Sequence, residues 1–170
     1  ILARAGKAYV NPGNFNNEIG LPLAVLGAPE GAQFAVYEMG AGKPGDIAYL
    51  ASIAPPQVSL VNNIMPAHIE RMGSLLGVAE TKGAIYEAPP AAGVAAVNAD
   101  DAFAPWFMQR LGARRTLRRY PVKNDARGTS DRHVRSFRDR QLAPDDFAIV
   151  CVERDQTSVE CRDINLALID

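Results

Sequence analysis

The chain has 170 residues, 48% hydrophobic and 22% charged, with 18 Lys and Arg against 19 Asp and Glu. That apolar fraction excludes a disordered chain, and no apolar run approaches the ~20 residues of a membrane-spanning helix. Two cysteines, Cys151 and Cys161, exclude a disulfide framework and a cysteine-type metal site, so one domain of ordinary size with reduced thiols, cytoplasmic, is expected.

The elements follow in chain order. Ala8-Tyr-Val10 reads as a short strand entering an Asn-Pro-Gly turn at 11–13. Asn17 is placed to cap a helix through about Leu26. Gln33 to Met39 reads as a buried strand ending at Gly40-Ala41-Gly42. Asp46 is expected to cap a helix carrying Ile47, Leu50 and Ala51, which stops before Pro55-Pro56. Val58 to Val61 is the next strand, ending at Asn62-Asn63. Ser74 caps a helix to roughly Glu87, with Leu75, Val78, Ala79 and Ile85 at helical spacings. Gly93 to Val97 is another buried strand, and Asp100 or Asp101 begins a short helix bearing Phe103, Phe107 and Leu111.

Beyond residue 111 the texture changes. Phe147-Ala-Ile-Val-Cys-Val reads as a strand, Asp155-Gln156 as a turn and Val159-Glu-Cys-Arg as its partner, with Ile164, Leu166 and Leu168 alternating again. The expected class is therefore α/β, a mostly parallel sheet with flanking helices over 1–111. A basic connection and a small antiparallel β appendage of the same domain would occupy 112–170. Cys151 and Cys161 would face each other across that hairpin as reduced thiols.

The near-zero net charge hides an asymmetry. Residues 1–109 hold 5 basic and 9 acidic side chains, whereas Arg110 to Arg140 alone holds 11 basic and 3 acidic ones. Such a block suits either a polyanion-binding module or, more blandly, a solvated arginine-rich surface. Only Tyr120 and Phe137 interleave with it, which is thin for base stacking, and no nucleic-acid partner is expected.

Open parallel sheets hold their chemistry in loops at the carboxyl ends of strands. Glu38, Asn62-Asn63 and Asn98-Ala-Asp-Asp101 fall at such ends. Glu38, followed by Gly-Ala-Gly, suits a hard cation that also takes phosphate oxygens. His68 follows the Asn-Asn turn by a few residues; a lone histidine is more often structural. Lys82 sits mid-helix, where a lysine is ordinarily solvated, but beside a metal its ammonium would be expelled or chemically altered. Asn14, Asn16 and Asn17 supply more amides than one helix cap uses.

The ordered motifs Gly-Asn-Phe-Asn-Asn-Glu-Ile-Gly-Leu-Pro (13–22), Tyr-Glu-Met-Gly-Ala (37–41), Val-Asn-Asn-Ile-Met-Pro-Ala-His (61–68), Gly-Ser-Leu-Leu-Gly-Val-Ala-Glu-Thr-Lys-Gly (73–83) and Val-Asn-Ala-Asp-Asp (97–101) resemble the central ATPase domain of the Mur ligases. The likeness covers about residues 1–111 and is looser over 112–170. It implies a P-loop NTPase-like domain of an ATP-dependent amide-bond ligase of peptidoglycan precursor synthesis, monomeric, using ATP and Mg²⁺. Within the family the motif wording favours joining D-alanyl-D-alanine to UDP-N-acetylmuramoyl-tripeptide through an acyl phosphate. Another Mur ligase or a folylpolyglutamate synthase-like ligase is the alternative.

The same resemblance implies roles. Glu38, His68 and Lys82, the last as a carbamate, would form the catalytic metal shell. Asn14, Asn16, Asn17 and Asn63 would lie on the substrate side, and Asn98 and Asp100 on the nucleotide side. The family's phosphate loop and its later Gly-Arg-His-Asn segment are not among these residues, nor are its first and third domains. The chain begins at Ile1 without an initiator Met, so it is read as a piece of a longer protein and is expected not to ligate alone.

Overall fold

Strands covered on both faces are written as unbroken apolar runs, and Val94-Ala-Ala-Val97 is such a run, continued by a buried Asn98. The computed structural model describes residues 2–88 and 93–111 in full and the backbone of 116–120 and 147–153. Among the described residues six strands form one sheet: β1 (Ala8–Val10), β2 (Phe34–Gly40), β3 (Val58–Val61), β4 (Val94–Asn98), β5 (Thr116–Tyr120) and β6 (Phe147–Glu153). Their order is β1-β2-β6-β3-β4-β5. Helices α1 (Gly20–Leu26), α2 (Asp46–Ile53), α3 (Ile69–Met72), α4 (Leu75–Gly83) and α5 (Ala104–Leu111) fill the connections. Among the described residues no helix is long and apolar enough to cross a membrane.

Strands β1 and β2, β3 and β4, and β4 and β5 pair in parallel, while β6 runs antiparallel to both β2 and β3. The first five strands therefore point the same way and end on one edge. That edge carries the polar residues singled out above.

Two expectations for the second half are corrected. The strand at 147–153 forms, but it is no appendage: it lies inside the main sheet, with Cys151 level with Val36 and Val58. Its run Phe-Ala-Ile-Val-Cys-Val is apolar at every position, which suits a strand with neighbours on both sides better than an alternating hairpin. The expected turn at 155–156, the partner strand at 159–162 and Cys161 lie outside the described residues. The basic connection also contains a strand, β5, whose Arg118 and Arg119 are level with Ala96 and Val97. Charged residues are well tolerated on an edge strand of this kind.

One face of the sheet holds the core. Ala35, Tyr37 and Met39 of β2, Val61 of β3 and Val97 of β4 share a buried cluster with residues of α1, α2, α4 and α5. Ser74 caps α4 as expected, its hydroxyl accepting from Gly77 N at 3.0 Å. Asp46 does not cap α2. Gly45, in the left-handed region at φ 89°, takes that position, and the Asp46 carboxylate reaches back to Gly42 N and Lys43 N, closing the turn beyond β2. Helix α3 is an additional short turn between β3 and α4.

Tyr86 ties the sheet to this core. Val61 N donates to its hydroxyl oxygen at 3.0 Å, and the hydroxyl donates to Ala96 O at 2.7 Å, bridging β3 and β4. Burial pushes its phenol far above the usual range. Tyr86→Phe removes the acceptor for one buried group and the donor for another, so unfolding free energy should fall by about 1–3 kcal/mol. Urea denaturation checks this, and an unchanged midpoint would contradict the bridge.

Candidate active site

Four polar loops meet at the carboxyl edge of the sheet: 11–17 after β1, 40–46 after β2, 62–68 after β3 and 98–103 after β4. Glu38 and Leu60 are both level with Ile149 of β6. Two strand spacings, about 10 Å, therefore separate Glu38 from β3.

Glu38 is half-buried, and its surroundings are built from amides. Asn16 Nδ2 donates to Glu38 Oε1 at 2.6 Å. Asn11, buried, accepts from Glu38 N at 3.0 Å and donates to Phe15 O at 3.0 Å. Gly40 N donates to Asn16 O at 2.8 Å, fastening the 11–17 turn over the strand end. The turn can double back this tightly because residue 20 is glycine: a Cβ there would sit 2.6 Å from Phe15 Cα. Burial raises the Glu38 carboxyl above its usual range, and the Asn16 hydrogen bond pulls it partly back.

Across the edge, Lys82 is 1% exposed. Its Nζ donates to Asn63 O at 3.2 Å, so the helix lysine points at the loop after β3 and not to solvent. The signal was present in the spacing: Lys82 follows Val78 by four residues and Ala79 by three, on the apolar stripe of α4. Among the described residues Asn63 Oδ1 is buried with no hydrogen-bond partner. His68 is exposed and has φ 50°, the sole positive φ outside glycine among the described residues. Backbone held in that region by a β-carbon-bearing residue costs about 1–2 kcal/mol and tends to mark functional loops.

The remaining candidates divide. Asn17 does not occupy the N-cap position of α1, which is Ile19; it closes the turn leading into the helix, its Oδ1 accepting from Ile19 N and Gly20 N at 3.1 and 2.8 Å. Asn14 is exposed. Asn98 is buried and acts as a brace, donating to Asn62 O at 2.9 Å and accepting from Asp100 N at 3.0 Å. Asp100 is exposed, while the neighbouring Asp101 turns inward to accept from Ile64 N at 2.7 Å and Phe103 N at 2.8 Å. Asn11 was read from the sequence only as part of a turn, and Asp101 only as part of the 98–101 cluster and a possible helix start. Their signal was only position, each lying immediately beyond or near the end of a strand. Arg110, which opens the basic block, is engaged with Glu87 at 2.7 Å and lies over Trp106.

The Mur ligase middle domain family matches residues 1–161. The chain belongs to that family. It is 39% identical over 121 residues to the UDP-N-acetylmuramoyl-tripeptide–D-alanyl-D-alanine ligase of Escherichia coli (strain K12), covering 71% of this chain and 27% of that protein. The ligase of the same name from Haemophilus influenzae is 48% identical over 88 residues, 52% of this chain and 19% of the relative. Among solved structures, MurF from Acinetobacter baumannii superposes with a TM-score of 0.66 at 30% identity, covering 69% of this chain and 26% of that one. The MurF ligase of Thermotoga maritima, solved in complex with ADP, gives a TM-score of 0.64 at 32% identity, with 72% and 28% covered. The chain thus spans about a quarter of the length of such relatives.

Within this Mur ligase middle domain the desolvated Glu38 has a measurable signature. Its folded-state pKa lies above the unfolded one, so the folded chain binds more protons between the two. Stability should fall as pH rises from the unfolded carboxylate range through the raised value. Glu38→Gln keeps an acceptor for Asn16 and removes the charge. Its melting temperature should exceed that of the wild type at neutral pH, with the difference vanishing below the carboxylate range. A difference independent of pH would contradict the desolvation.

Proposed function

We propose that this chain is the central part of an ATP-dependent amide-bond ligase of peptidoglycan precursor synthesis. The whole protein would join D-alanyl-D-alanine to UDP-N-acetylmuramoyl-tripeptide. ATP phosphorylates the tripeptide carboxylate, the dipeptide amine attacks the acyl carbon, and phosphate leaves. Family membership and the names of the relatives support the reaction, and the ADP complex of the Thermotoga protein supports the nucleotide. A cytoplasmic location follows from that reading, because ATP and the nucleotide-sugar substrate are made there.

The observation that carries the reading on this chain's own residues is the burial of Lys82 at the carboxyl edge. An ordinary helix lysine would be solvated. Here the amine is aimed at the loop that also presents Asn63 and His68, with Glu38 on the same edge. Carbamylation would turn that cation into an anionic oxygen donor.

The residues present fit Mg²⁺. Hard cations take oxygen ligands, and Glu38 is a desolvated carboxylate while Asn63 Oδ1 is a buried acceptor with no partner. Among the described residues no three His, Cys, Asp or Glu side chains cluster for a metal. Glu38 and His68 with a Lys82 carbamate would complete such a set. Bound there, the ion would neutralise phosphoryl charge. Asn16 holds the Glu38 carboxylate in one orientation, Asn11 fixes the backbone beneath it, and Asn98 steadies the turn that carries Asn63. Asn14, on the exposed side of its turn, is left to meet substrate.

Carbamylation is directly observable at neutral pH. In ¹³C-labelled bicarbonate the wild-type chain should show a carbamate carbon resonance that Lys82→Met lacks, and Lys82→Met in the whole protein should lower ligation by about 10²-fold or more. A ligase with wild-type rates after that substitution would overturn the proposal.

A further inference from the structure

Two consecutive peptide units beyond β3, 62–63 and 63–64, are held by three side chains. Asn98 at the end of β4 donates to Asn62 O at 2.9 Å, Lys82 of α4 donates to Asn63 O at 3.2 Å, and Asp101 accepts from Ile64 N at 2.7 Å. Asp101, like Asn98, serves the loops after β3 and β4 at once, and it does so as a carboxylate accepting two backbone N–H groups. Its Oδ2 takes Ile64 N, while its Oδ1 takes Phe103 N at 2.8 Å in the turn that starts α5. One carboxylate therefore couples the loop after β3 to the loop after β4.

We infer that Asp101 is a positioning residue for the metal site: it holds residues 62–68, and through them Asn63 and His68, at the carboxyl edge. This inference rests on the reading of that edge as the site of Mg²⁺ and nucleotide. Charge-assisted hydrogen bonds to backbone N–H groups are among the stronger ones, roughly twice a neutral pair. The constraint falls where it is needed, since the loop must hold His68 in left-handed backbone and keep Asn63 Oδ1 buried. Groups that orient metal ligands from one shell further out alter metal affinity by about 10–100-fold when removed. A plain turn-forming role predicts something else, namely an effect confined to the start of α5.

Two substitutions separate these roles. Asp101→Ser leaves one oxygen, enough to accept Phe103 N in the same turn, and none to reach Ile64. Asp101→Asn keeps the size and sets an amide N–H against one of the two backbone donors. The measurements are amide hydrogen exchange by NMR on the isotopically labelled chain, and titration with Mn²⁺ in the presence of ADP, followed by paramagnetic broadening. In Asp101→Ser, exchange at Ile64 should quicken at least about tenfold with Phe103 little changed, and Mn²⁺ affinity should weaken by about 10–100-fold. Asp101→Asn should show the same Mn²⁺ weakening, which keeps the test decisive if the serine variant folds poorly. Wild-type exchange at Ile64, or undiminished Mn²⁺ affinity in either variant, would overturn the role of Asp101 alone. A wild-type chain whose His68 and Asn63 signals are untouched by Mn²⁺ would instead overturn the metal-site reading, and this inference with it.

Discussion

Backbone that leaves a sheet must find other partners for its polar groups, and beyond β3 those partners are side chains. Asn98, Lys82 and Asp101 take Asn62 O, Asn63 O and Ile64 N in turn. An unpaired buried amide or carbonyl would cost about 1–3 kcal/mol, so each of the three is strongly specified. The remaining features of the edge follow from this constraint. Lys82 is drawn inward, Asn63 Oδ1 is kept buried, and the chain emerges toward His68 along a fixed path.

On the β2 side the same economy applies with amides alone. Asn11 and Asn16 position Glu38 with amides, and burial outweighs the Asn16 hydrogen bond, so its pKa is raised. A carboxylate held this way is destabilising for the folded chain by itself and well suited to a positive ligand. The two halves of the edge thus present complementary parts. One offers a fixed anion, and the other a buried amine and a free acceptor oxygen, on loops joined by the parallel sheet beneath them.

Much of this was legible in the sequence because periodicity and caps are local. The first four parallel strands, the helices α1, α2 and α4 between them, and the cap at Ser74 all follow from short-range patterns. What depends on distant neighbours was not legible. The run at 147–153 announces a strand covered on both faces, yet nothing in it says that its neighbours are β2 and β3. Strand β5 hides among arginines because an edge strand tolerates them. The division of labour in the 13–17 turn depends on how the turn closes over Gly20, so three similar amides became an exposed residue, a Glu38 partner and a turn closure. Asp100 and Asp101 are adjacent and chemically identical; a rotation of one residue decides which faces Ile64. Lys82 was readable by its place on the apolar stripe of α4, although lysine at mid-helix argues for solvent.

The account stands on the claim that the carboxyl edge is a metal site built from Glu38, His68 and a modified Lys82. Anomalous diffraction from crystals grown with Mn²⁺ and ADP at neutral pH tests it most directly. The account predicts a manganese peak about 2.1 Å from a Glu38 oxygen and a His68 nitrogen, with carbamate density extending from Lys82 Nζ. A peak bound elsewhere, with Lys82 an unmodified amine still donating to Asn63 O, would contradict it.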